Sequence, residues 1–152
     1  FNIKYEKNKR ILDDIEYIHV FPEQIQKIIF DLAFNMGTNF FAKFRNFNTA
    51  LQQAAECLSG STITPEDIDN ANTHLHVAST ELLKNYDEEG KETGPTKYAS
   101  DLGRRAGENA RIIGNGVVID DFEVHVSEIP YSSYPDVTHE NKKYSLKSVF
   151  FS

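Results

Sequence analysis

Five histidines and one cysteine are the residues whose types could hold a metal ion or supply a reactive thiol, and their spacing argues against both. His74 and His76 are two apart in a segment of helical periodicity, so they point in different directions. Ligand pairs on a helix need a spacing of three or four. His19, His125 and His139 have no partner at ligand spacing. A single cysteine, Cys57, excludes an internal disulfide and a multi-cysteine zinc site. Its neighbours Ala54, Ala55 and Leu58 point to a buried, inert thiol. Neither a metal nor a cofactor is expected.

The elements that would position other chemistry are mostly helices. Tyr5, Ile11, Leu12 and Ile15 recur at helix-compatible spacing. Val20-Phe21-Pro22-Glu23 is a helix start, and the apolar positions Ile25, Ile28, Ile29, Leu32, Ala33 and Met36 define one buried face that Gly37 should end. Phe40, Phe41, Phe44 and Phe47 crowd a turn or short helix plugged into the core. Asn48 is then expected to cap a helix over Thr49 to Leu58, ended by Ser59-Gly60. Thr64-Pro65-Glu66-Asp67 opens the next helix, which runs through Ile68, Ala71, Leu75, Ala78 and Leu82 and fades at Tyr86. Asp87 to Pro95 reads as a solvated loop. Tyr98, Leu102, Ala106, Ala110 and Ile113 mark one last helix, stopped at Gly114-Asn115-Gly116.

Past that point the period changes. Val117-Val118-Ile119 and Phe122 to Val126 read as strands joined by a tight turn at Asp120-Asp121, and a closing strand is expected over Tyr144 to Phe151. The predicted fold is therefore mainly α: a helical lobe over residues 1–113 with an appended β-rich tail over residues 114–152. Apolar residues make up 39% of the 152, enough for a real core. No apolar run approaches the ~20 residues that span a bilayer, and the polar start from Phe1 to Arg10 shows no signal peptide. A net charge of −7 makes nucleic acid and anionic membrane poor partners.

The order of segments resembles the helical lobe of the phage-type lysozymes. The residues that carry the likeness are Phe34-Asn35-Met36-Gly37 at a helix end, then Phe44, then Leu51-Gln52-Gln53, then Val77-Ala78 through Leu82, and finally Arg104-Arg105-Ala106. Phe1-Asn2 is similar to the start of the helix that joins the two lobes in that family. The chain departs from the pattern in having no Trp, in extra residues between Gly60 and Asn72, and in an insertion over Asp87 to Lys97. Asn85-Tyr86 is the nearest counterpart of the family's Ser-x-Trp-Tyr motif.

The resemblance implies cleavage of the glycosidic bond between N-acetylmuramic acid and N-acetylglucosamine. That chemistry needs a Glu as general acid and a second carboxylate with a Thr nearby. In the family these lie in a lobe that precedes the joining helix, so the catalytic Glu is expected before Phe1, and the non-Met start fits a piece of a larger protein. Glu6 and Asp14 fall on a predicted helix without a Thr partner and read as surface charges. Glu128, Asp136 and Thr138 repeat the family's order of Glu, Asp and Thr in the tail, as a circular permutation would place them. The alternative reading makes these acids solvated loop groups beside Pro130 and Pro135.

For sugar binding the resemblance points to Asn35, whose amide both donates and accepts and could equally cap the helix end near Gly37, to Tyr86 as a cleft-wall aromatic, with core packing as its other reading, and to the Arg104-Arg105 pair, with Arg104 the first choice. One of the pair could bridge the lobe, and solvent exposure is the default for both. The expected partner is peptidoglycan, with an upstream catalytic lobe or partner chain. The expected function is the substrate-binding lobe of a muramidase, either an endolysin or a delivered antibacterial effector acting on the cell wall; the acidic charge favours the effector. The alternatives are a non-catalytic wall-binding or interaction module derived from a lysozyme, and a generic helical domain.

Overall fold

The computed structural model describes residues 16–36, 44–120, 123–127, 137–139 and 142–144. The helix expected from Tyr5 falls mainly outside them, and its described end is a single 3₁₀ turn, Glu16–Val20. Helix α1 (Glu23–Met36) follows Pro22 and buries Ile25, Ile28, Ile29, Leu32 and Ala33, the face its spacing predicts. Each Ile and Leu of this face contributes about 1.5–3 kcal/mol by leaving water, and Ala33 less.

Helix α2 (Arg45–Cys57) begins earlier than its sequence suggests. Asn48 is not its cap but lies inside it, where its side-chain oxygen accepts from the Tyr17 hydroxyl. The start is fixed instead by Phe44 and Phe47, both buried, whose rings meet edge-on at 6.3 Å and 71°. Aromatic burial outweighs the cap preference here. Phe40 and Phe41 lie outside the described residues.

Helix α3 (Pro65–Leu83) opens as expected, with a capping box between Thr64 and Asp67 and Pro65 in its first turn. It is the central element and packs against both α2 and α5 (Arg104–Asn115). From Leu75 to Leu83 every residue is buried, so the single apolar face seen in the sequence is really a fully enclosed rod. Its small polar residues tolerate this by bonding their own helix: Ser79 Oγ donates to the His76 carbonyl at 2.6 Å, and Thr80 Oγ1 to Val77 at 2.8 Å.

The expected loop after α3 is a hairpin. Strand β1 (Lys84–Tyr86) pairs antiparallel with β2 (Glu92–Pro95), with a bulge between Asn85 and Tyr86. Asp87 closes the turn, its carboxylate accepting from the Glu89 and Lys91 amides at 2.9 Å each. Thr96 then locks the return, its amide donating to the Leu83 carbonyl at 3.0 Å and its hydroxyl to Leu82 at 2.7 Å. The same hydroxyl accepts from Ala99 at 3.1 Å and caps α4 (Lys97–Leu102).

The last predicted helix is two. Gly103, at φ 51° and ψ −118°, ends α4 and begins α5, a backbone conformation that a side chain would strain. Gly114 stays within α5, and the stop comes at Gly116, φ 76°.

The predicted strand pair then forms as β3 (Val117–Asp120) and β4 (Glu123–Val126), in register Val117 with Val126 and Asp120 with Glu123. Asn72 on α3 clamps the hairpin like a third strand: its amide donates to the Val117 carbonyl at 2.9 Å and its oxygen accepts from the Val117 amide at 2.8 Å. β5 (Val137–His139) and β6 (Lys142–Tyr144) form a third antiparallel pair. Beyond Tyr144 the expected closing strand lies outside the described residues. The fold is thus mainly helical with small antiparallel hairpins, as its sequence class predicts.

Candidate functional site

The helix periods decide which side chains stay accessible. On α1, the buried stripe leaves Lys27, Phe30, Asp31 and Phe34 on a neighbouring stripe. On α5, Ala106, Ala110 and Ile113 are buried, which turns Arg105 and Asn109 toward α1. The two stripes border a groove of about 520 Å³.

A polar network joins Asp31, Arg105 and Asn109 on the groove wall to Asn35 and the buried Tyr98 outside its lining. Arg105 forms an ion pair with Asp31 across the helices, Nη2 to Oδ1. Asn109 Nδ2 donates to Asp31 Oδ2 at 3.4 Å and to the Tyr98 hydroxyl at 2.7 Å. Asn35 Nδ2 donates to the Asp31 carbonyl at 2.8 Å and to Oδ1 at 3.2 Å. Burial raises the pKa of Tyr98, and Asp31 adds to that, while the Asn109 hydrogen bond and Arg105 oppose it. Burial thus favours the neutral phenol, whose oxygen accepts from Asn109.

Asn35 and the Arg104-Arg105 segment thus meet at one place, joined through Asp31. The adjacent Arg104 points away, pairing with Glu108 at 3.3 Å on the solvent side, with 90% of its side chain exposed. Arg105 departs from the solvent exposure that is the default for both arginines and makes an ion pair across the lobe, while Arg104 keeps it. Asp31, Asn109 and Tyr98 carried no functional expectation. Asp31 did leave a signal: a lone acid inside an apolar helix, four residues before Asn35.

Tyr86 belongs elsewhere. It lines a cleft of about 410 Å³ between the start of α2 and the end of α3, with Phe44, Arg45, Asn46, Glu81 and Asn85. No residue lines both this cleft and the α1–α5 groove. Burial pushes the Tyr86 phenol up to about 12, and the charges of Glu92 and Glu81 add to the shift. Glu81 is only 8% exposed and accepts from Asn46 Nδ2 at 3.4 Å.

Of the tail candidates, Thr138 lies on β5, while Glu128 and Asp136 fall outside the described residues. So do Glu6 and Asp14. Among the described residues no three His, Cys, Asp or Glu side chains come together as a metal site. None of the described helices is long and apolar enough to cross a membrane. The chain matches no protein-family model, no characterised protein and no solved structure.

Proposed function

We propose that this chain is the sugar-facing helical lobe of a peptidoglycan-cleaving muramidase. One observation carries the reading: two segments that resemble phage-type lysozyme motifs, seventy residues apart in sequence, meet at a single groove, where Asn35 beside it and Arg105 on its wall both bond Asp31. The groove's chemistry suits an amino sugar. Amides and a guanidinium match hydroxyl and N-acetyl groups, and Phe30 and Phe34 offer apolar walls to a sugar's less polar face.

The second reading, a non-catalytic wall-binding module, is favoured by the groove's lining: among the described residues Asp31 is its one carboxylate and is engaged by Arg105, Asn35 and Asn109, whereas glycoside hydrolysis uses two.

Co-sedimentation with insoluble peptidoglycan tests both. The chain should pellet with the wall polymer, and Asn35→Ala or Arg105→Ala should weaken it by roughly tenfold, as for a lost charge-assisted contact. Failure to pellet overturns both readings. Reducing-sugar release by the protein as encoded in full separates them: release supports the muramidase, and binding without release supports the module.

A further inference from the structure

We propose that the cleft between the start of α2 and the end of α3 binds a small zwitterion, with its ammonium against Glu81 and its anionic end toward Arg45. The cleft is polarised by the backbone and by side chains in the same sense. One wall is the last turn of α3, the negative pole of a nineteen-residue helix, and it carries Glu81. A carboxylate buried at that pole works against the helix, so a cation seated there gains from both. The other wall is the first turn of α2, a positive pole without a side-chain cap, and it carries the exposed Arg45.

The remaining lining fits the same ligand. Tyr86 lines the cleft with an aromatic ring, a group that attracts an ammonium, and Asn46 and Asn85 line it with amides, which can both donate and accept. A carboxylate can accept several hydrogen bonds together, so a ligand ammonium adds to the Asn46 contact on Glu81 rather than displacing it. A volume of about 410 Å³ suits a ligand of amino-acid size.

The site is separate from the α1–α5 groove, and the inference does not rest on sugar binding. Amide NMR spectra of the chain, titrated with γ-aminobutyrate, N-acetyl-γ-aminobutyrate and butylamine, provide the test. Saturable shifts are expected at Asn46, Asn85 and Tyr86 with γ-aminobutyrate. Acetylation, which removes the ammonium, should weaken binding at least about tenfold, and butylamine, which lacks the anionic end, should fall between. Equal binding of the acetylated compound, shifts centred elsewhere, or no saturation overturns the proposal. Glu81→Gln should abolish the preference for the free ammonium, and a folded variant that keeps it also overturns the proposal. If that variant does not fold, the comparison of ligands on the natural chain decides alone. Arg45→Ala should weaken γ-aminobutyrate but not butylamine, while Asn35→Ala should change neither.

Discussion

Helix α5 is held at each end by a polar junction to a distant part of the chain, and the two junctions differ in their access to water. At its start, Arg105 and Asn109 grip Asp31, with the Arg105 side chain 59% exposed. At its end, Gly116 and Val117 are buried against Asn72. The open junction leaves Arg105 where a ligand can reach it, and water at that partner screens its pair with Asp31, itself 18% exposed, so the pair adds only modestly to stability. The closed junction satisfies two backbone groups out of water, and losing it costs their full desolvation. One helix thus has a binding end and an anchoring end.

The sharpest way to break this contrast is at the anchoring end. A Cβ on Gly116 would sit 2.5 Å from Asn72 Oδ1, at a φ that disfavours side chains. Gly116→Ala should therefore cost about 4 kcal/mol in urea unfolding, combining backbone strain with loss of the clamp. A cost below ~1 kcal/mol would show that the hairpin is not anchored there.

The stability of the buried core of α3 should answer to pH. Burial lowers the pKa of His76 to about 4, against 6.5 for the free side chain. Between these values the unfolded chain binds the extra proton, so stability is fully present above about pH 6.5 and is lost as pH falls toward 4. The loss should approach about 3 kcal/mol. His76→Gln should flatten that part of the profile, measured by denaturant midpoint against pH.

Asn72→Ala leaves the Val117 amide and carbonyl without their clamp and should cost about 2 kcal/mol. Amide exchange should speed up first at Val117 and along β3. The smallest stability effect belongs to the open junction. Arg105→Ala should cost less than about 1 kcal/mol, and Arg104→Ala nothing measurable. If Arg105→Ala destabilises as strongly as Asn72→Ala, the distinction between the two ends fails.

The sequence revealed most where a local rule acts alone. The Thr64-Pro65-Glu66-Asp67 start and the buried stripe of α1 both follow from neighbours in the chain. It misled where a distant partner decides. Asn48 has the makings of a cap, yet Tyr17 claims its side chain and the aromatic pair Phe44–Phe47 sets the helix start. Tyr98 to Ile113 has one helical period, yet Gly103 splits it, because a spacing of apolar residues does not record a change in φ. The groove was half legible. Asn35 and the arginine pair stood out, but Asp31, which joins them, reaches partners 74 and 78 residues away. Which of two adjacent arginines faces inward depends on the burial of Ala106 and Ala110, and no local pattern of charge encodes it.

Thr96 makes the β1–β2 hairpin a detachable cassette. Because this one residue bonds the carbonyls of both Leu82 and Leu83, the excursion leaves and rejoins the scaffold at the same point. A segment of another length between Lys84 and Pro95 would leave and return at that same point, provided it replaced the packing of Tyr86 against the core. Since Asn85 and Tyr86 ride on that cassette, exchanging it replaces one wall of the cleft and leaves Glu81 in place. The hairpin is therefore a place where a change of sequence would reshape the cleft while Thr96 keeps the helices tied.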